Sequence, residues 1–149
     1  MPATPLLDVS TPAGRLEVGT WPDLQERTTR SELTPAAIKA MGRLAERWQL
    51  TVSEVGQLLG GVSPSSWHSW QSSTPGALTT DQLTRVSLLL GIYTALHVLH
   101  PGELADEWVR RPNTNLAFDG RTPLQAMLAG GIPVMIEVRA LLDGRRGGL

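Results

Sequence analysis

The residues from Thr79 to Pro101 have the sequence of one long helix that is apolar on more than one face. A hydroxyl at Thr79 or Thr80 can cap its first turn, and Pro101-Gly102 ends it near His100. A helix whose apolar residues cover so wide an arc is buried on two sides. We therefore expect a central helix around which the other helices pack, or a helix that forms part of a dimer interface. Its apolar residues are Leu83, Val86, Leu89, Leu90, Ile92, Tyr93, Leu96 and Leu99.

Start and stop signals before this segment outline a helix-turn-helix. Thr34-Pro35, a hydroxyl followed by proline, predicts the start of the first helix. Thr51 and Glu54 form a capping box that opens a short helix, Gly60-Gly61 ends that helix, and Ser63-Pro64 opens the next one. Two short helices joined by a glycine-containing turn are typical of a helix-turn-helix. The predicted helices run from 34 to about 48, from 52 to 59, and from 63 to about 71.

The residues after Pro101 carry the same kinds of signal and no strand pattern. They predict helices at about 102–110, from Thr122-Pro123 to Ala129, and from Ile132 to Asp143, with Gly130-Gly131 as a stop. The sequence therefore predicts an all-α fold in which a helix-turn-helix half and a smaller helical half are joined by the long central helix. We expect a flexible arm at 1–33, a helix-turn-helix domain at 34–100, and a second domain at 101–149 that ends in a flexible tail from Gly144.

Composition and motifs favour a cytoplasmic binding protein over an enzyme. The 149 residues include no cysteine, and no phosphate-binding loop, GxSxG elbow or HExxH motif is present. His97 and His100 could share a metal ion, but the acidic residues that follow are more typical of a solvated helix face. The longest apolar stretch, Val86–Leu99, is shorter than the roughly 18 residues of a membrane span. We predict no catalytic residue, no metal, no cofactor and no membrane partner.

The helix-turn-helix outline makes operator DNA a candidate partner. The second of its short helices carries no Arg or Lys, so it cannot make the bidentate guanine contact, and Trp67 and Trp70 are expected to face the core. Phosphate charge would come from a basic stripe on the first helix, formed by Lys39, Arg43 and Arg47. The alternative is that the fold is kept while DNA affinity is weak, or requires a dimer or a complex. The predicted DNA-binding residues are Arg43, Arg47, Ser65, Ser66, His68, Ser69 and Gln71.

A string of residues in the second half resembles the toxin-binding domain of the Xre/MbcA/ParS antitoxin family. Upstream, residues 34–100 resemble that family's helix-turn-helix half. The chain departs from the family pattern where Ala117-Phe118-Asp119 lengthens a loop and in the segment 130–134. The matching residues are Trp108, Pro112, Asn113, Leu116, Gly120, Arg121, Thr122, Pro123, Leu124, Val138, Leu141, Leu142 and Gly144.

The resemblance implies an antitoxin. Members of this family pair with RES-type toxins that consume NAD⁺ or modify proteins with its ADP-ribose, form dimers, cover the toxin's active site and often repress their own operon. Residues 110–149 carry six Arg against three acidic residues, and Arg145 and Arg146 could reach from the tail into a cleft built for an anionic dinucleotide. The implied toxin-binding residues are Trp108, Pro112, Asn113, Arg121, Arg139, Arg145, Arg146 and Leu149.

Other interpretations remain open from the sequence. The closing residues could be only a disordered basic tail. The chain could also be a helix-turn-helix transcriptional regulator whose C-terminal half only dimerises, or a scaffold protein with a role in cell polarity.

Overall fold

The computed structural model describes residues 22–146, and within that range the chain forms seven α-helices, two short 3-10 turns and no strand. The prediction of an all-α fold is therefore confirmed. The elements are α1 (Arg27–Arg47), α2 (Val52–Leu58), α3 (Pro64–Ser72), α4 (Thr80–Leu99), α5 (Gly102–Glu107), 3-10 turns at Trp108–Arg110 and Leu116–Phe118, α6 (Pro123–Gly130) and α7 (Ile132–Arg146).

Helix α4 is the centre of the molecule, as its sequence predicts. It packs against α1 on one side and against α5 and α7 on others. Leu89, Ile92 and Leu96 of this helix are fully buried in one core that includes residues of both halves. By length and composition α4 could cross a membrane, but the core helix of a soluble protein meets the same criteria.

The first helix begins at Arg27, seven residues before the predicted start. Thr34 is not its cap, because its hydroxyl donates to the Arg30 carbonyl at 2.7 Å and accepts the Leu78 N–H at 2.9 Å. Arg30 adds a bond from Nε to the Leu78 carbonyl at 3.1 Å, which fastens α1 to the loop before α4. Pro35 lies inside the helix, so the hydroxyl–proline signal was misread. Residues 27–33 of the predicted arm are helical, and residues 1–21 lie outside the described residues.

The helix-turn-helix geometry of α2 and α3 depends on the turn that joins them. The predicted capping box is present, with the Glu54 N–H donating to Thr51 Oγ1 at 3.1 Å and the Thr51 N–H donating to Glu54 Oε1 at 2.9 Å. Gly60 and Gly61 have φ of 88° and 110°, where glycine is favoured. A side chain at Gly56 would collide with the Val62 carbonyl oxygen, so the turn crosses α2 at close range.

The last helix continues to Arg146, and the flexible tail predicted from Gly144 is therefore wrong for residues 144–146. A glycine inside a helix costs only about 1 kcal/mol relative to alanine. Arginines in a final turn also interact favourably with the negative end of the helix dipole. Gly144 thus lies within α7, and residues 147–149 lie outside the described residues.

Candidate functional site

The loop between α5 and α6 is anchored in the core by two aromatic side chains. The rings of Trp108 and Phe118 meet edge to face, with centroids 6.0 Å apart. Phe118 is buried, whereas Trp108 is half-buried. Ala117-Phe118-Asp119 was predicted to be only a loop extension, but its Phe118 is one of the two side chains that anchor the loop.

Short hydrogen bonds fix the backbone of the same loop. The Asn113 side-chain oxygen accepts the Asn115 N–H at 2.9 Å, and the Asn115 oxygen accepts the Ala117 N–H at 2.9 Å. Asp119 follows in the left-handed conformation, with φ of 49°. Thr122 then caps α6 through a capping box. We call residues 111–122, held in this way, the motif loop.

Leu116 projects from the motif loop into solvent with 95% of its surface exposed. The sequence match treated it as an ordinary member of the motif, and neither its exposure nor the burial of Phe118 was predicted. Both follow from the 3-10 turn at 116–118, which directs one apolar side chain outward and the other inward. No local sequence signal distinguishes the exposed side chain from the buried one, because both belong to the same three-residue turn.

The predicted toxin-binding residues divide between two elements. In and beside the motif loop, Trp108 and Asn113 hold the loop itself, while Pro112 and Arg121 are exposed. Arg121 Nε donates back to the Phe118 carbonyl at 3.4 Å. Arg111, which was not predicted, is exposed and pairs with Glu107 at 2.6 Å.

The other predicted residues belong to α7 and its continuation. Arg139 Nε lies 3.2 and 3.0 Å from the two carboxylate oxygens of Asp143. Its guanidinium passes so close to Gly91 of α4 that any side chain at Gly91 would collide with it. Arg145 is exposed in the last turn of the helix. Arg146 is helical, and Leu149 lies outside the described residues.

The predicted DNA-binding residues of α3 lie mostly on its exposed side. Ser65, His68, Ser69 and Gln71 are exposed, whereas Ser66 is half-buried and its hydroxyl lies 3.0 Å from that of the capping residue Ser63. Trp67 is buried and Trp70 half-buried, as predicted, with their ring centroids 6.4 Å apart.

The basic stripe on α1 reaches this surface only in part. Lys39 and Arg43 line a groove of about 400 Å³ between α1 and α3, together with Gln71. Arg47 points elsewhere, towards Asp106 of α5 at 3.9 Å. Residues 55–80, which include all of α3, contain no Asp, Glu, Lys or Arg. The exposed side of α3 therefore carries no acidic or basic side chain other than His68.

His97, one of the two histidines considered as a metal site, has other contacts. His97 stacks on Tyr93 with ring centroids 4.1 Å apart, and its Nε2 lies 3.3 Å from Asp106 Oδ1. No group of three potential metal ligands occurs within residues 22–146.

Arg110 connects the two halves and was missed by sequence reasoning. Its Nε donates to the Trp48 carbonyl at 2.7 Å, and its terminal nitrogen lies 2.6 Å from the Gln49 carbonyl and 2.8 Å from Glu54 Oε1. Burial raises the pKa of Glu54, but the Thr51 backbone N–H and the Arg110 guanidinium together outweigh burial and hold it below its ordinary value of 4.5. Nothing local in the sequence marks a contact between residues so far apart.

Two family models match almost the whole described range. The Antitoxin Xre-like helix-turn-helix domain matches residues 30–91, and the Antitoxin Xre/MbcA/ParS C-terminal toxin-binding domain matches residues 95–148. The chain belongs to the Xre/MbcA/ParS antitoxin family. The first of these domains contains α2 and α3, and the second contains the motif loop and α7.

The chain is similar to a protein of Sinorhizobium fredii (strain NBRC 101917 / NGR234) over most of that protein's length. The protein, named uncharacterized protein y4oB, is 39% identical over 119 residues, which are 79% of this chain and 90% of that protein. No solved structure gives a significant match to this chain. The resemblance drawn from the motif residues is thus confirmed at the level of the family.

Proposed function

We propose that this chain is the antitoxin of a toxin–antitoxin pair, that it neutralises a RES-type, NAD⁺-consuming toxin by covering its active site, and that it regulates its own operon. The observation that carries the proposal is the motif loop, which is rigidly built and exposed within the domain that matches the toxin-binding model. A loop that is already ordered binds a partner without a large further loss of conformational entropy.

Charge supports a partner whose binding cleft carries acidic groups. The six arginines of residues 110–149 exceed the three acidic residues there, and guanidinium groups pair well with carboxylates and phosphates. Arg145 lies in the last turn of α7 and not in a loose tail. The end of this helix would therefore place a guanidinium group in the toxin's cleft. Arg139 and Arg121 would contact the rim of the cleft.

Operator binding is the second part of the proposal. Ser65, His68, Ser69 and Gln71 would face the major groove, while Lys39 and Arg43 would contact the phosphates. Because α3 itself is neutral, one copy would bind DNA weakly, and a dimer or a toxin-bound complex would be the effective repressor. Such a protein acts by binding alone, without a catalytic residue, in the cytoplasm.

The test is co-expression with the gene adjacent to this one. Expressed alone, the neighbour's product should stop growth and lower cellular NAD⁺, and co-expression of this chain should restore both. The two proteins should co-purify. A full-length variant that carries Arg121→Glu and Arg145→Glu changes two exposed residues and leaves the core intact. It should fail to rescue, provided that its amount in the cell equals that of the wild-type chain.

A different result would favour the alternative regulator. If the neighbour's product neither binds this chain nor depletes NAD⁺, while the chain alone binds its own promoter DNA as a dimer, the C-terminal half serves dimerisation only.

A further inference from the structure

We infer that Leu116 is an apolar anchor of this chain, which inserts into an apolar pocket with an acidic rim on the surface of the toxin. The inference rests on the proposed function for the identity of the partner, and adds Leu116, a motif residue that is not among the implied toxin-binding residues. Among the described residues, the other large apolar side chains that are exposed range from 38% to 61% exposure, against 95% for Leu116.

A leucine exposed to this extent contributes little to folding, because it removes almost no apolar surface from water in the free protein. Isolated exposed leucines are common on protein surfaces, so exposure alone does not identify an anchor. The structure of the loop around it distinguishes this one.

The motif loop holds the Leu116 backbone in one position. The Asn115 side chain caps the 3-10 turn by accepting the Ala117 N–H, and Phe118, two residues on, is buried against Trp108. The backbone therefore cannot fold Leu116 inward without removing Phe118 from the core. A side chain presented in this way can enter a pocket without first ordering the loop.

Charges on the same loop indicate what surrounds the pocket. Arg111 and Arg121 are both exposed, and the only acidic residue between them in the sequence is Asp119. Arg111 is paired with Glu107 at 2.6 Å, but both side chains of this pair are at least half exposed, so the guanidinium remains accessible to a partner. Acidic groups at the rim of the partner's pocket would complement these guanidiniums and exclude partners with a basic surface. An apolar centre with a polar rim is the usual arrangement of a protein interface.

A second copy of this chain fits the same surface less well. In a two-fold contact the patch faces its own copy, which offers Leu116 a second protruding leucine rather than an apolar pocket. The phosphates of DNA would attract the two arginines, but the charged phosphate backbone offers no apolar pocket for the leucine.

The experiment measures binding of purified full-length chains to the purified product of the adjacent gene by calorimetry. Leu116→Ala should raise the dissociation constant by about 10- to 100-fold, because the apolar side chain buried in the complex is lost. Leu116→Asp should raise it further. Leu116→Met, which conserves volume, should bind within about threefold of wild type. Val52→Ala, at an exposed apolar position of α2, is the matched control and should leave the constant unchanged.

The outcomes separate the anchor from the proposed function. The Leu116 variants should melt at the wild-type temperature, since Leu116 makes almost no contact in the free protein. Wild-type affinity in Leu116→Ala would overturn the anchor and leave the antitoxin function intact. No binding by the wild-type chain would overturn both. If Leu116→Ala instead converts a dimer to a monomer in sedimentation while toxin affinity is unchanged, the residue belongs to a contact between copies.

Discussion

Arg110 shows how one side chain can connect two functional halves. It lies next to the motif loop, yet its hydrogen bonds go to the end of α1 and to the capping-box carboxylate of α2. Gln49, one of its acceptors, has a left-handed backbone with φ of 53°, which turns its carbonyl out of the helix. Arg110 therefore supplies hydrogen bonds both to carbonyls at the end of α1 and to the capping-box carboxylate at the start of α2.

Replacing Arg110 with Met should lower the free energy of unfolding by about 1–2 kcal/mol, because two carbonyls and Glu54 lose a charged donor that is partly exposed to solvent. The matched control is Arg111→Met, which removes an exposed ion pair with Glu107 and should cost less than about 0.5 kcal/mol. Urea denaturation followed by tryptophan fluorescence measures both. Equal losses in the two variants would show that the Arg110 contacts contribute no more than a surface pair.

The Glu54 carboxyl should make stability depend on pH. Its folded pKa is lowered below the ordinary 4.5, so the folded state favours the ionised form, and this stabilisation is complete above pH 4.5. As pH falls through 4.5 and then through the lower folded pKa, the stabilisation is lost. Glu54→Gln should therefore be less stable than wild type at pH 7, and the difference should shrink on acidification. A difference that stays constant from pH 7 to pH 3 in urea titrations would contradict this assignment.

Sequence reasoning about single site residues succeeded where the cause is local and failed where it is not. The half-burial of Trp70 and the burial of Trp67 follow from spacing along one helix. Phe118 was read as part of an insertion because its partner, Trp108, lies across a loop. No observation here tests which predicted residues touch a toxin or DNA, so those assignments stay predictions.

At the scale of elements, the turn between α2 and α3 determines how the helix-turn-helix is presented. The Gly56 carbonyl accepts the N–H groups of Gly61 and Val62 at 2.8 and 3.0 Å. The Val62 carbonyl in turn lies where a side chain at Gly56 would be. This mutual approach is what allows α3 to pack against α2.

Gly56→Ala should destabilise the chain by about 1–3 kcal/mol, because the added methyl group meets a backbone oxygen that cannot move alone. Gly42→Ala is the matched control, since Gly42 lies inside α1 and a methyl there meets only Gln71 Oε1 at 3.5 Å. That substitution should instead stabilise the helix by up to about 1 kcal/mol. Thermal unfolding followed by circular dichroism distinguishes the two signs, and a loss of stability in both variants would contradict the role given to the turn.

Helix boundaries illustrate what the sequence can establish at this scale. The predicted capping box at Thr51 and the predicted helix starts at Thr79 or Thr80 and at Thr122-Pro123 were placed correctly. In the structure Thr51, Thr79 and Thr122 each cap a helix together with the residue three positions on. The signal at Thr34-Pro35 was misplaced because the Thr34 hydroxyl bonds to Leu78, 44 residues away. The end of α7 was set too early because a glycine was read as a stop. Only the tertiary structure distinguishes a hydroxyl that caps a helix from one that bridges two segments.

At the scale of the whole molecule, the hydrophobic core spans both halves, whereas charged residues are concentrated in some segments and absent from another. The core is continuous through α4, so the toxin-binding half and the helix-turn-helix half are not independent bodies. Charge divides the chain into a C-terminal part with an excess of arginine and a neutral stretch at 55–80 that contains α3. One continuous core thus supports an arginine-rich part, in which Arg110, Arg111 and Arg139 form ion pairs, and a stretch without acidic or basic side chains other than His68.

This distribution predicts an unusually weak dependence of operator binding on salt. If α3 enters the major groove, phosphate neutralisation falls to Lys39 and Arg43, which line the groove beside it. Each phosphate neutralised contributes about 0.9 to the slope of log K against log salt concentration, so a dimer using two cations per copy should give a slope of roughly −4. Lys39→Gln should reduce that slope by about 2 per dimer, whereas Arg121→Gln, on the motif loop, should leave it unchanged. Fluorescence anisotropy with promoter DNA across a salt series measures the slope. A slope that Lys39→Gln does not alter would mean that phosphates are contacted elsewhere, and that α3 is not oriented towards the groove as proposed.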